Sequence, residues 1–186
     1  MIHEWRSYRL KPGAAGAYLA LLAETGLPLV TRHLPLMGYW LAETGPLNTL
    51  HHLWSYAGWD EREAARAGLA EEEGWTRGFV PRAFPLVAAQ DNRFLTLQRG
   101  SAAFDAALAT RRNRHDACAP GAPLFAPLCA GIVQGAPDTA IIAQWQALSG
   151  APGLLTLLPR SADPVPPDPL VAGSHSVLRP LAFSPL

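Results

Sequence analysis

Residues 38–56 carry the most informative pattern of this chain, and they read GYWLAETGPLNTLHHLWSY. Both ends of the stretch are rich in aromatic and aliphatic side chains, which are common in β-strands. Thr44-Gly45-Pro46 lies between them and is typical of a turn. The pattern therefore predicts a β-hairpin, whose longer second strand runs from Leu47 to Tyr56.

The segments on either side of this hairpin complete a regular unit. Residues 2–10 alternate in character with the period of a strand, and Lys11-Pro12-Gly13 ends it. Apolar residues recur at helical spacing over 14–33, and acidic residues open a second helix over 60–83. Asn92 to Arg99 predicts a last strand. The resulting order, βαββαβ, is that of the ferredoxin-like fold.

The second half of the chain, residues 99–186, is richer in proline, since twelve of the 18 prolines follow residue 100. We predict here a helix at 101–113, a hairpin at 127–148 that turns at Gly135-Ala136-Pro137-Asp138, a short helix at 150–159, an extended proline-rich link at 163–169 and a final strand at 174–183.

An internal repeat is suggested by two tryptophans, Trp54 and Trp145, each of which lies eight residues after a proline. If this spacing marks a duplication, residues 1–98 form a complete first domain and residues 99–186 a shortened, degenerate second domain. Coincidence is the alternative. In the second copy, Thr139, Ala143 and Ala147 replace Asn48, His52 and Tyr56. A duplication would therefore leave one candidate site per chain, in the first half.

Composition excludes several classes of protein. Hydrophobic residues make up 49% of the 186 residues, which is enough for a buried core. The 15 basic and 15 acidic side chains balance, whereas nucleic-acid binding favours a basic excess. We find no signal-peptide pattern and no apolar run of membrane-helix length, so we expect a cytoplasmic protein without nucleic-acid or membrane partners. Cys118 and Cys129 are too few for a disulfide framework, and we expect both to be reduced.

Several segments carry a resemblance to a known family. They are EWRSYRLKPG at 4–13, GYW at 38–40, ETGPLN at 43–48, HLWSY at 52–56, Arg62 and Arg66 on the predicted helix, and LRPLAFSPL at 178–186. Together they resemble the NIPSNAP family, closely over residues 1–98 and loosely over 130–186.

The resemblance implies a dimeric α+β barrel, in which two ferredoxin-like units press their sheets together with the helices outside. Many family members carry two such units in one chain, but the second copy here has no clear first strand. Either the predicted strand at 92–99 serves both units, or the second unit is incomplete. Small sheets need a partner face to bury, so we expect a homodimer or a higher oligomer formed through a sheet.

Strand alternation places the candidate chemistry on single faces. Glu4, Arg6 and Tyr8 share one face of the first strand, while Asn48, His52, Trp54 and Tyr56 share one face of the third. Polar groups at alternate positions fit a lined cavity better than a dry layer against helices. We therefore expect this face to look into the barrel interior.

His52 is the leading catalytic candidate, as a proton donor or acceptor near neutral pH. Tyr8 and Tyr56 are candidate hydrogen-bond donors to an oxyanion, and Glu43 a candidate base or orienting group for His52. For substrate binding we select Arg6 as a carboxylate or enolate anchor, with Asn48, Trp40 and Trp54. Alternatively, the same polar groups satisfy one another, with Glu4 and an arginine forming a structural ion pair.

Two functions fit these residues. The first is a small enzyme without a cofactor, doing acid–base chemistry or oxygenation of a small, partly apolar substrate in the barrel cavity. The second is a non-catalytic protein that binds a small ligand or acts as a scaffold. We expect no metal site, because His51 and His52 are adjacent on a strand and point to opposite faces.

Overall fold

A computed structural model of the protein describes residues 1–164 and 175–186. Within them, eight antiparallel strands close a barrel in the order β1-β3-β2-β8-β5-β7-β6-β4. The strands are β1 (Ile2–Leu10), β2 (Leu36–Ala42), β3 (Thr49–Tyr56), β4 (Val87–Gly100), β5 (Ala130–Gln134), β6 (Ala143–Ala147), β7 (Leu154–Leu157) and β8 (His175–Pro180). The predicted proline-rich link at 163–169 lies outside the described residues from position 165 onward.

The helices follow β1, β3 and β4. They are α1 (Ala15–Leu21), α2 (Leu27–Val30), α3 (Trp59–Glu71), α4 (Val80–Ala83) and α5 (Ala102–Thr110). π-helical turns at Leu22–Gly26 and Gly74–Phe79 lead into α2 and α4. These two turns touch at Gly26, where a Cβ atom would lie 2.5 Å from the Phe79 ring. A side chain at position 26 would force the two helical segments apart.

The first half has the element order predicted from the sequence. β2 and β3 form the predicted hairpin, and the four strands lie in the order β4-β1-β3-β2. We call this layer the first sheet. Two helical segments, residues 15–30 and 59–83, cover one of its sides.

The second half differs from its prediction in two places. β5 pairs with β7 and β8 and makes no pairing with β6, so the predicted hairpin at 127–148 is wrong. The predicted helix at 150–159 is also wrong, because this segment contains β7, which forms a hairpin with β6. Gly150 and Gly153, both at positive φ, make the turn between these strands. Glycines at this spacing can end a helix or form a β-turn, so the sequence did not distinguish a short helix from a hairpin.

The Pro–Trp spacing does not align equivalent strands. Trp54 lies on β3, which has β1 and β2 as neighbours inside the first sheet. Trp145 lies on β6, which joins the second half to the first by pairing with β4.

A single chain closes the barrel. The strand β4 pairs with β1 from Val87 to Leu95 and with β6 from Leu95 to Gly100, so it serves both halves of the chain. On the other side, β2 pairs with β8. The second half therefore covers the first sheet, and the reason for expecting a partner chain at this face no longer applies. Both cysteines are free thiols, as predicted.

Each side of the first sheet has its own core. On the helix side, Tyr8, Leu10 and Leu50 pack with residues of the helical segments. On the barrel side, Trp5 and Leu53 pack with other fully buried side chains, among them Trp40, Phe104, Trp145 and Leu178. No helix in the described part of the chain is both long enough and apolar enough to cross a membrane.

Candidate functional site

A cavity of about 220 Å³ lies between the first sheet and its helices, and we call it the helix-side cavity. Its lining is Arg6, Tyr8, Tyr18, Leu22, Val30, Leu34, Tyr39, His52, Trp54, Arg66, Leu69, Trp75, Val80, Phe84 and Gln90. This lining has two arginines and, among the described residues, no carboxylate. Aromatic rings form much of the rest of the wall.

The predicted grouping of Glu4, Arg6, Tyr8 and His52 on one face is confirmed, but the predicted direction of that face is wrong. These side chains point toward the helices, and the barrel interior is filled by tryptophan and aliphatic side chains. Alternation sorts side chains into two faces and does not say which layer covers each face. Both faces here mix polar and aromatic residues, so composition could not decide.

Strand register brings the polar groups of the cavity together. Arg6 on β1 lies directly opposite His52 on β3, and Tyr39 on β2 lies opposite His52 on its other side. On the fourth strand, Asn92 lies opposite Arg6. One row of side chains thus crosses all four strands, because directly opposed residues of a sheet point to the same face.

His52 is buried and has one ring nitrogen occupied. The Trp54 indole N–H donates to His52 Nδ1 over 2.7 Å. The His52 ring also stacks on Tyr39 at 4.9 Å and meets Tyr8 edge-on at 4.8 Å. Burial lowers the pKa of His52 well below its usual value, and the charge of Arg6 lowers that pKa further. The imidazole is therefore neutral, with its proton on Nε2, and acts as a hydrogen-bond donor rather than a base.

A buried ion-pair network adjoins this row. Glu4 is fully buried and accepts from Arg62 at both carboxylate oxygens, over 3.0 and 3.1 Å. It also accepts from Arg6 at 2.8 Å and from Asn92 at 3.2 Å. Burial alone would raise the pKa of Glu4, but the Arg62 hydrogen bonds and the Arg6 charge outweigh it, and the pKa is lowered. The predicted structural ion pair between Glu4 and an arginine is confirmed.

The wall of the cavity carries positive charge. Arg6 and Arg62 share the buried carboxylate of Glu4, and Arg62 also pairs with the exposed carboxylate of Glu63. Arg66 lines the cavity as well and forms no ion pair among the described residues. Arg6 Nη2 also donates to the Tyr8 hydroxyl over 3.3 Å. The helix-side cavity therefore favours a ligand with negative charge on oxygen.

Tyr56 lies on the same strand as His52 but has different surroundings. It faces the helix side and is fully buried, yet it is absent from the cavity lining. Its hydroxyl and Arg6 Nε have no hydrogen-bond partner among the described residues. Burial raises the pKa of Tyr56, so the hydroxyl stays protonated. The unpaired Nε–H belongs to a residue of the cavity wall, Arg6, whereas the Tyr56 hydroxyl lies outside the lining.

Three of the predicted site residues lie elsewhere. Glu43 pairs with Arg179 over 3.0 Å at the end of β2, so it does not orient His52. Asn48 adopts a positive φ of 58° before β3, and its carbonyl accepts from the Leu10 N–H. Trp40 points to the barrel side, where it stacks on Trp5 at 5.3 Å. Glu43 and Asn48 lie in the turn, where strand alternation does not apply, whereas Trp40 lies opposite His51 and so shares its face.

Among the lining residues that sequence reasoning missed, four carry a hydroxyl, guanidinium or amide group: Tyr18, Tyr39, Arg66 and Gln90. Hairpin register would have found Tyr39, because the pairing is regular from the turn as far as Gly38 and places Tyr39 opposite His52. Arg66 was one of the residues that carry the family resemblance, but no role was assigned to it. Tyr18 needs the packing of α1 on the sheet, which no local pattern specifies.

Among the described residues, no group of three His, Cys, Asp or Glu side chains is placed to hold a metal ion. His51 and His52 do point to opposite faces, as predicted, since each lines a different cavity.

The architecture and the cavity define an α+β barrel protein with a polar site between one sheet and its helices. The sequence profile of the NIPSNAP family matches residues 3–102, which is more than half of the 186 residues. The chain belongs to the NIPSNAP family.

Relatives with curated sequences match the same half. Human Protein NipSnap homolog 3A is 33% identical over 98 residues, which cover 52% of this chain and 39% of the human protein. Mouse Protein NipSnap homolog 3B is 33% identical over 79 residues, or 42% of this chain and 32% of the mouse protein. The chain thus matches well under half the length of these relatives.

Solved structures extend the likeness. A NIPSNAP family protein of unknown function from Agrobacterium tumefaciens, Atu4242, has a TM-score of 0.52 and 35% identity, covering 55% of this chain and 92% of its own. An anthrone oxidase-like protein covers 97% of this chain and 90% of its own at a TM-score of 0.52. Its identity is only 9%, so it shares the fold alone.

Proposed function

We propose that this protein binds a small, partly aromatic organic anion in the helix-side cavity and stabilises negative charge on one of its oxygen atoms. The observation that carries the proposal is the state of His52. Its Nδ1 is occupied by Trp54, and its ring stays neutral, so it offers an N–H beside the Arg6 guanidinium. Two adjacent donors of this kind suit a carboxylate, a phenolate or an enolate.

Size and wall chemistry narrow the ligand. A cavity of about 220 Å³ is below the usual range of about 300–1,000 Å³ for sites of drug-sized molecules. The ring of Tyr39 is stacked on His52, and Trp75 and Phe84 line other parts of the wall. These rings favour a small unsaturated or aromatic body attached to the anionic group.

The same geometry supports a cofactor-independent reaction through an anionic intermediate. Arg6, Tyr8 and His52 would hold a developing oxyanion, in the way that neutral donors in other enzymes stabilise enolates. The described lining supplies no carboxylate base. A substrate that ionises by itself near neutral pH, such as an acidic phenol, therefore fits the cavity better than one that needs a strong base.

Non-catalytic binding is the second candidate, and the missing carboxylate in the described lining favours it. Under this alternative, the cavity holds the same anion without turning it over. The two candidates share every binding contact and differ only in whether product forms.

Several broader features belong to the same proposal. Residues 1–98 would act as the functional ferredoxin-like domain, and 99–186 as a degenerate second domain that closes the barrel. The strand order β4-β1-β3-β2 and the short connections of the second half support this division. A cytoplasmic location completes the proposal, and any self-association uses a surface other than the barrel-side face of the first sheet, which the second half of the chain covers.

Binding of salicylate and 4-hydroxybenzoate, followed by isothermal titration calorimetry, tests the proposal. We expect Arg6→Gln and His52→Ala each to weaken binding by about tenfold or more, because each removes a charged or neutral donor from the anion. Arg77→Gln is the matched control, since Arg77 is a highly exposed surface residue that pairs with Glu73. Unchanged affinity in folded Arg6→Gln and His52→Ala proteins would refute the assignment.

Turnover assays separate the two candidates. If a reaction is found with any phenol or carboxylate, His52→Ala should abolish it while leaving the oligomeric state unchanged. Activity that persists in the folded variant would show that His52 is not catalytic.

A further inference from the structure

The other side of the first sheet carries a second opening, at the end of the barrel where β2 and β3 are joined. Two adjoining spaces of about 290 and 180 Å³ share four lining residues, Trp5, Pro46, His51 and Arg93. We call this region the barrel mouth. It lies across the sheet from the helix-side cavity, and the two linings have no residue in common.

The floor of the barrel mouth presents an imidazole whose acceptor is already used. His51 Nδ1 lies 2.8 Å from the Ser7 hydroxyl and 3.2 Å from the Trp5 indole nitrogen. Both groups can donate to this nitrogen, so the remaining proton of a neutral His51 sits on Nε2. Burial, followed by the charge of Arg93, lowers the pKa of His51 to about 4. At neutral pH the ring is therefore a neutral donor, like His52 on the opposite face.

The rim of the barrel mouth has an excess of positive charge. Arg9 and Arg93 line it together with one carboxylate, Asp91. Arg93 reaches from β4 to β5, where its Nη1 lies 3.4 Å from Gln134 Oε1, a weak and neutral contact. Within residues 1–164 and 175–186, Arg93 forms no ion pair. A partly buried guanidinium without an anion is a strong recognition group for carboxylates.

The turn that contains Gly150 packs closely against the Arg93 side chain. Gly150 has a φ of +80°, and a Cβ atom there would lie 3.0 Å from Arg93 Cγ. Glycine thus satisfies both the backbone conformation and the close approach. The buried Thr49 hydroxyl, also in the lining, has no partner among the described residues. The barrel mouth is therefore a preformed pocket with unsatisfied polar groups and an aromatic floor.

From these contacts we infer that the barrel mouth is a second ligand site, which binds a small organic carboxylate through Arg93 and His51. The carboxylate accepts from the Arg93 guanidinium and from His51 Nε2–H, and its apolar part lies toward Trp5 and Pro46. This inference does not depend on the proposed function of the helix-side cavity, because it uses different residues on the opposite face.

Histidine-selective NMR titrations with benzoate test the inference, with benzyl alcohol as the uncharged counterpart. We expect benzoate to shift the His51 ring resonances and raise the His51 pKa, because an added negative charge favours the imidazolium form. Benzyl alcohol should produce no such change in pKa. Arg93→Gln should weaken the His51 response by about tenfold or more, whereas Arg93→Lys, which keeps the charge, should restore part of it.

The second cavity provides the internal control. Arg6→Gln should leave the His51 response to benzoate unchanged and reduce only the response of His52. A His51 signal that benzoate does not move, or one that still responds fully in folded Arg93→Gln protein, would overturn the inference. If Arg93→Gln does not fold, Arg9→Gln at the exposed rim serves as the second variant, and we expect it to weaken the His51 response by a smaller factor. An unchanged His51 response in both Arg9→Gln and Arg93→Lys would also overturn the inference.

Discussion

The two sides of the first sheet contain similar side chains and use them differently. Each side has a histidine on β3 that accepts an indole N–H, from Trp54 on the helix side and from Trp5 on the barrel side. The helix side adds a buried carboxylate held by two arginines, whereas the barrel side adds stacked and edge-on tryptophans.

This difference arises from what covers each face of the first sheet. Short helices joined by π-helical turns cover one side incompletely and leave a cavity, in which charged groups keep hydrogen-bond partners. The barrel side meets the strands of the second half across the barrel interior, and the side chains between them form an apolar core. Charge is therefore tolerated on the helix side, and on the barrel side the described residues place Arg9, Asp91 and Arg93 at the mouth.

Removal of a tryptophan from the barrel interior should have the largest effect. Trp145 is fully buried against Phe104, with ring centroids 5.9 Å apart. Trp145→Ala should lower the free energy of unfolding by about 3–5 kcal/mol, because it leaves a cavity in a packed core. Urea denaturation measures the change. Leu148→Ala is the control, since Leu148 is 55% exposed, and a loss no larger than that of the control would contradict the packed interior.

Neutralising the buried carboxylate of the helix side should come next. Glu4→Gln leaves Arg6 and Arg62 without their shared partner, and we expect a loss of about 3 kcal/mol. Glu63→Gln is the matched control, because Glu63 also pairs with Arg62 but is 72% exposed, and it should cost less than about 1 kcal/mol. Equal losses in urea denaturation would mean that burial of the network contributes nothing.

Acidification should weaken the barrel side through its buried histidines. His3 and His51 both have a pKa lowered from 6.5 to about 4, because burial disfavours the charged ring. The unfolded chain therefore takes up protons first as the pH falls from 6.5 to 4, and stability present above pH 6.5 is lost across this window.

A variant that cannot titrate isolates one of these histidines. His51→Asn keeps a hydrogen-bond acceptor and removes the ionisable ring, so the loss of stability between pH 6.5 and 4 should shrink by on the order of 2–3 kcal/mol. Urea denaturation across that pH range measures the slope. An unchanged slope would show that His51 is not buried as a neutral ring.

The smallest effect is expected at the loop that links β2 and β3. Asn48 has a positive φ, which asparagine and glycine adopt more easily than other residues. Asn48→Gly should change stability by less than about 1 kcal/mol, and Asn48→Val should cost about 1–2 kcal/mol through backbone strain. Thermal unfolding measures both. Neither variant should alter binding of salicylate, and a loss of affinity in folded Asn48→Gly would restore Asn48 as a ligand-binding residue.

Local patterns predicted the first half well. The alternation over residues 2–10, the helical spacing over 14–33 and the hairpin at 38–56 correspond to β1, to the α1–α2 region and to β2–β3. The second half was harder, because its short strands pair with distant partners and its turns carry glycines. β5, for example, has β7 and β8 as neighbours, and no local signal specifies either pairing.

The candidate site was predicted in part for the same reason. Arg6, Tyr8, His52 and Trp54 line one cavity because strand alternation and adjacent strands bring them together. Glu43, Asn48 and Trp40 were lost at the irregular ends of the hairpin and on the opposite face. Tyr18 and Arg66 entered from helices whose docking on the sheet depends on tertiary packing.

Sequence alone determined which side chains of the first sheet share a face, because the period of a strand is fixed by its backbone. Tertiary structure alone decided what each face meets, since that depends on how the second half closes the barrel through β4 and β8. The surroundings of the His52 ring, its lowered pKa and the positive charge around it follow from the helical segments that pack on the opposite face. They arise from burial and from contacts between distant segments, which no local pattern contains.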